Sequence, residues 1–224
     1  MQTTCRRLLG VVAALVMLTS GGMTGLRGVP AGADDRLPLG GGAGIVVNGD
    51  TLCTLTTIGT DGKGELIGFT SAHCGGPGAV VAAEAAKDRG TVGTMVAGND
   101  NLDYAVIQFD PGHVTPVNRI GNVTITNVGA PAQFPAIVCK EGRTTGNTCG
   151  LAFGDVFQTD ETWAEMCVVE GDSGAPVVIG TTLVGMVNAY LAVACFGPEV
   201  GTNMSAIVND MNGRGGVGAG YAPI

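Results

Sequence analysis

The chain has 224 residues, 45% of them hydrophobic, 13% charged and only 4% aromatic, with 39 glycines and a formal net charge of −8 at pH 7. That length suits one all-β unit or two small barrels. The acidity argues against nucleic acid as a partner, because phosphate binding relies on clustered Lys and Arg, and it is read as serving solubility.

At the N-terminus, Arg6 and Arg7 precede an apolar run over residues 8–18, and Ala31-Gly32-Ala33 supplies a small-residue cleavage site before Asp34. This is the pattern of an export signal over residues 1–33. The run is about 11 residues long, short of the ~20 that cross a bilayer. An uncleaved anchor extended through Met23 is the alternative. Removing residues 1–33 takes Cys5 away and leaves six cysteines, an even number that points to disulfides in an exported chain. Six cysteines allow fifteen pairings, and the sequence pattern alone does not choose among them. Zinc is the competing use, but there is no C-x-x-C pair, so neither metal nor other cofactor is expected.

Beyond the signal, short apolar runs alternate with Gly, Asn, Asp and Thr, which predicts many short strands and tight turns. Long helical periodicity is absent there, and residues 79–87 are ambiguous. The run Gly68-Phe69-Thr70-Ser71-Ala72-His73-Cys74-Gly75 reads as a strand ending in one of only two histidines, the other being His113. Imidazole, with an unperturbed pKa near 6.5, is the side chain best suited to act as a base at neutrality. Asp103 heads the alternating run Tyr104-Ala105-Val106-Ile107-Gln108-Phe109, where its carboxylate could orient an imidazole. Asp100, in the polar turn just before it, is the rival. Near residue 170 comes Glu170-Gly171-Asp172-Ser173-Gly174-Ala175-Pro176. A serine between glycines sits where the backbone turns sharply, and the amides of Gly171 and Ser173 could hold an oxyanion. The last stretch, residues 213–224, is glycine-rich and is expected to be a mobile tail.

The order His73, Asp103, Ser173 resembles the chymotrypsin-like serine proteases, and more closely their secreted bacterial branch, the streptogrisin and α-lytic protease type. Thr70-Ser71-Ala72-His73-Cys74 is similar to that family's histidine motif, the segment from Val138 to Gly150 is similar to a disulfide hairpin of the bacterial members, and Cys167 stands six residues before Ser173. The resemblance spans residues 39–212. It implies an all-β fold of two antiparallel six-stranded Greek-key β-barrels with the active site in the cleft between them. Residues 34–125 would form the barrel bearing His73 and Asp103, and residues 126–212 the barrel bearing Ser173.

The resemblance also selects the disulfides Cys53–Cys74, Cys139–Cys149 and Cys167–Cys195. It implies that Asp172 is held by a basic side chain from within the chain, Lys140, with Arg143 as the fallback. It places Val168, Val169, Asn188, Tyr190 and Met204 at the substrate pocket. There Asn188 replaces the family's usual serine, and Tyr190 replaces a glycine that opens the pocket, so the tyrosine is expected to narrow or cover it. Those walls favour small or apolar substrate side chains. The implied function is a secreted or cell-envelope serine endopeptidase, monomeric, acting on peptides or proteins through an acyl-enzyme on Ser173, with no stable membrane association after signal cleavage. The alternatives are a secreted binding protein on a protease fold that admits no substrate, and an esterase using the same residues.

Overall fold

The structure, a computed structural model, describes residues 35–224, so the export segment and Cys5 lie outside the described residues. Leu37–Leu39 (β1), Gly44–Val47 (β2), Thr51–Thr54 (β3), Thr57–Thr60 (β4), Leu66–Thr70 (β5), Val80–Ala83 (β6), Thr91–Asn99 (β7) and Tyr104–Phe109 (β8) come first. The short strands Val114–Pro116 (β9), Arg119–Ile120 (β10), Val123–Thr124 (β11) and Asn127–Val128 (β12) follow. Ile137–Gly142 (β13), Gly146–Gly154 (β14), Glu161–Ala164 (β15), Pro176–Ile179 (β16), Thr182–Tyr190 (β17) and Glu199–Asn203 (β18) make up most of the second sheet. A helix, Met204–Arg214 (α1), and a last short strand, Ala222–Pro223 (β19), complete the chain.

The first sheet runs β19-β4-β5-β8-β7-β6-β2-β3. Its end regions meet because β3 and β4 are consecutive, joined by Leu55 and Thr56. The Leu55 N–H bonds the Ala43 carbonyl beside β2, at 2.8 Å, and the Thr56 N–H bonds Phe69 of β5, at 2.7 Å. One extended segment thus serves both sides of a curled sheet. In the second sheet, β17-β16-β13-β14-β15-β18 closes on itself through a further β17–β18 pairing, a six-stranded ring. The expected all-β fold is present. Two short pairings, β1 with β9 and β12 with β17, are parallel rather than antiparallel.

Strand β8 explains how the interior is divided. Side chains alternate across a strand, and here both faces are covered. Ala105, Ile107 and Phe109 enter the first barrel with Ile45, Leu55, Val81 and Met95. Tyr104 and Val106 face the other way, into a layer with Phe69, Leu183, Met186, Met204 and Ile207. A third cluster, including Val138, Ala152, Val177 and Val187, fills the second barrel. Each fully buried Val, Leu, Ile, Met or Phe among these contributes roughly 1.5–3 kcal/mol relative to exposure.

One element was not foreseen and one expectation fails. The stretch from Met204 is helical, and its buried residues Met204, Ile207 and Met211 recur at helical spacing. The glycine-rich tail is docked rather than loose. Tyr221 is buried, its hydroxyl bonds Thr57 at 2.8 Å, and its ring meets Phe69 edge-on at 4.8 Å. Ala222 and Pro223 then pair with β4. The glycines supply turns that bring an apolar anchor home, whereas composition alone reads them as slack. The ambiguous stretch 79–87 divides into β6 and a 3-10 segment, Glu84–Arg89. Among the described residues no helix is long and apolar enough to cross a membrane.

Candidate active site

His73 lies in a single 3-10 turn, Ala72–Cys74, at the end of β5. Cys74 is bonded to Cys53 of β3, and the Thr70 hydroxyl donates to the Thr54 carbonyl at 2.9 Å, so the turn is tied to the strand beside it. Asp103 closes the turn between β7 and β8 with φ of 44°, in the left-handed region that aspartate enters more readily than most side chains. Its Oδ1 accepts the His73 backbone N–H at 2.9 Å and its Oδ2 meets His73 Nδ1 at 2.7 Å. Asp100 makes neither contact among the described residues.

Ser173 sits on the loop between Cys167 and β16, and its Oγ is 2.8 Å from His73 Nε2. Threonines of the first barrel hold this loop: Thr54 N–H donates to Ser173 O at 2.9 Å, Thr54 Oγ1 to Gly171 O at 2.9 Å, and Thr56 Oγ1 to Gly174 O at 2.7 Å. Contact this close needs glycine at 174, where a Cβ would fall 2.2 Å from Thr54 O at a φ of 86°. Among the described residues, the amides of Gly171 and Ser173 have no hydrogen-bond acceptor.

The electrostatics are directional. The Asp103 hydrogen bond raises the His73 pKa above its ordinary 6.5, against the opposing effect of burial. Burial pushes the Asp103 carboxyl upward, but bonds from His73 and Asn188 outweigh it and hold the pKa below the usual value. A neutral imidazole with its Nδ1–H on Asp103 leaves Nε2 free to take the Ser173 proton.

Asn188 is brought to the site, but its side chain turns to the carboxylate. Its Nδ2 donates to Asp103 Oδ2 and to Asp103 O, both at 2.8 Å, while its Oδ1 accepts the Thr202 N–H at 2.7 Å. Sequence reading placed it at the pocket. The geometry makes it a brace for Asp103 as well, a role that no sequence signal at Asn188 pointed to.

Asp172 and Lys140 come together without solvent exposure of either side chain, with Lys140 Nζ 3.5 Å from Asp172 Oδ2. Lys140 also donates to Thr145 Oγ1 and, at 2.9 Å, to Gly146 O. Asp172 accepts the N–H groups of Thr144 and Thr145 at 3.0 and 3.1 Å, and the Thr145 hydroxyl at 2.6 Å. Burial lowers the Lys140 pKa, opposed by the adjacent carboxylate. Arg143, the fallback, instead makes a two-pronged ion pair with Glu84, which the sequence did not suggest.

A cavity of about 280 Å³ opens beside Ser173, lined by Val168, Val169, Glu170, Asn188, Ala189 and Tyr190. Tyr190 therefore flanks the pocket without filling it. Met204 is not there: it begins α1 and is fully buried in the layer between the sheets, packed among residues of both. The disulfides are Cys53–Cys74, Cys139–Cys149 and Cys167–Cys195. The second links directly opposed residues of β13 and β14, and the third joins the segment before Ser173 to the loop after Tyr190.

Similar solved structures share this arrangement of strands. Thermobifida fusca protease A matches at a TM-score of 0.67 and 19% identity, over 84% of this chain and all of that one. Nocardiopsis protease matches at 0.65 and 20%, over 79% of this chain and 97% of that one. Cellulomonas bogoriensis chymotrypsin matches at 0.63 and 22%, over 84% and 99% respectively. The fold is that of the bacterial chymotrypsin-like serine proteases. No family model and no curated protein matches the sequence itself. At such identities the likeness establishes the protease fold alone.

Proposed function

We propose that the chain is an exported serine endopeptidase that cleaves peptide bonds through an acyl-enzyme on Ser173. The observation that carries this reading is the line from Asp103 Oδ2 through the His73 ring to Ser173 Oγ, with contacts of 2.7 and 2.8 Å. Ser173 Oγ attacks the substrate carbonyl carbon as its proton passes to His73 Nε2. Asp103 keeps the Nδ1–H tautomer and stabilises the imidazolium. The Gly171 and Ser173 amides receive the oxyanion, an interaction worth roughly 3–4 kcal/mol per donor. His73 then protonates the leaving amine, and water, activated by the same imidazole, releases the acyl group. The three disulfides favour an oxidising compartment, hence export, and the chain acts alone as a monomer. The apolar side chains of Val168, Val169 and Ala189 at the pocket favour small or apolar residues before the scissile bond.

A fluorophosphonate should label Ser173 in the folded protein lacking residues 1–33, and Ser173→Ala and His73→Ala should abolish labelling. Cleavage of a peptide library then separates a peptidase from an esterase. Labelling that survives both substitutions would overturn the assignment of the nucleophile. A labelled protein that cuts esters but no peptide would leave only the esterase reading.

A further inference from the structure

A trans peptide unit is planar, so fixing the direction of its carbonyl fixes the direction of its N–H. The unit joining Glu170 to Gly171 carries the Gly171 N–H on the side opposite the Glu170 carbonyl. That carbonyl accepts the Thr144 hydroxyl at 2.9 Å. With its only proton engaged there, Thr144 Oγ1 accepts from Arg143 Nη1 at 3.0 Å. Arg143 is itself fixed by Glu84, through Nε to Oε2 at 2.7 Å and through Nη2 to Oε1.

The next peptide unit is held as well. The Arg143 backbone N–H donates to Thr54 Oγ1 at 3.1 Å, and that hydroxyl donates to Gly171 O at 2.9 Å. Gly171 has φ of 92°, and a Cβ there would lie 2.5 Å from Thr144 Oγ1 and 2.7 Å from Arg143 Nη1. The chain of side chains therefore lies directly against the glycine it orients and leaves no room for a side chain there. A bidentate guanidinium–carboxylate pair fixes geometry as well as charge, and Arg143 holds the Glu84 carboxyl below its ordinary pKa.

We propose that Glu84, Arg143 and Thr144 are positioning residues that hold the Glu170–Gly171 peptide so that the Gly171 N–H faces the developing oxyanion. Glu84 follows β6 of the first barrel, whereas Arg143 and Thr144 lie in the β13–β14 turn of the second. One barrel thereby sets a hydrogen-bond donor carried by the other. The proposal rests on the reading of Ser173 as nucleophile and Gly171 as oxyanion donor.

Thr144→Val removes the hydroxyl at nearly constant volume, Thr144→Ser retains it, and Glu84→Gln weakens the anchor. Thr144→Val should lower kcat about 10- to 100-fold, short of the ~10²–10³ seen when an oxyanion donor is lost outright. KM should change less than about threefold, because the donor acts on the transition state. Affinity for a peptide aldehyde, whose hemiacetal oxygen occupies the oxyanion site, should fall by the same factor as kcat. Thr144→Ser should recover most of the loss, and Glu84→Gln should fall between. A Thr144→Val enzyme with unchanged kcat overturns the proposal, as does a loss that serine fails to rescue. A crystal structure of Thr144→Val decides the case independently of turnover. A Glu170–Gly171 peptide rotated away supports the relay, and an unmoved one refutes it. Wild-type protein that cleaves no substrate would fail the proposed function, while that structural comparison would still judge the relay.

Discussion

His73 and Asp103 shift each other's protonation, and the direction sets a pH dependence. The raised His73 pKa means that imidazole gains its proton already somewhat above pH 6.5 as the solution is acidified. In the proposed reaction only the neutral ring accepts the Ser173 proton, so kcat/KM should fall on the acid side with an apparent pKa above 6.5. Asp103→Asn should move that limb downward and cut turnover by about 10⁴, the scale of this substitution in a Ser-His-Asp triad. An unmoved limb would show that another group controls it. Glu199 obeys the opposite logic. It is fully buried, Oε2 has no partner among the described residues, and burial raises its pKa to about 8 although Lys140 opposes the shift. The folded chain then keeps a proton that the unfolded chain releases near 4.5. Stability from this group is greatest below that value, declines as pH rises toward 8 and is level above. Glu199→Gln should remove the decline and gain on the order of a few kcal/mol at pH 8. Urea unfolding at pH 5 and pH 8 checks this, and equal slopes for both proteins would contradict it.

At the level of elements, the tail carries the clearest stability prediction. Deleting residues 221–224 removes the Tyr221 ring from Phe69, its hydroxyl from Thr57 and the β19 pairing with β4. The cost should be roughly 2–4 kcal/mol, read as a lower midpoint in urea, while a tail that is idle would leave the midpoint in place. Sequence reading missed this element because glycine serves both mobile chain and tight turns, and only the partner distinguishes them. It also missed α1, although Met204, Ile207 and Met211 stand at helical intervals, because a short helix among strands gives only two turns of periodicity. The strands beside the candidate residues were legible: β8 alternates cleanly after Asp103, and β5 runs straight to His73. His73, Asp103 and Ser173 were readable as a group because each sits in a distinctive local motif, and the structure brings the three side chains together. The pocket was legible in part: Val168, Val169, Asn188 and Tyr190 line the cavity beside Ser173, whereas Met204 lies in the buried layer between the sheets, since a side chain's direction depends on what packs behind it.

Across the molecule, many of the contacts that hold the site cross from one barrel to the other. Thr54, Thr56 and Ser71 bond the Ser173 loop and β17, Asn188 returns to Asp103, and Arg143 reaches Glu84. Residues 35–224 accordingly form one compact unit. Unfolding should be a single transition, with near-ultraviolet circular dichroism and serine labelling lost at the same denaturant concentration. Two separated transitions would mean that the barrels stand independently. The docked tail also bears on the order in which the protein can be built. Tyr221 and Thr57 are 164 residues apart in sequence, so β4 leaves the ribosome long before the segment that covers it exists. Closing so long a loop comes late and slowly. Until it closes, the edge of β4 and the side of the Phe69 ring that Tyr221 covers stay open to solvent and to neighbouring chains. The barrel that is made first is completed last.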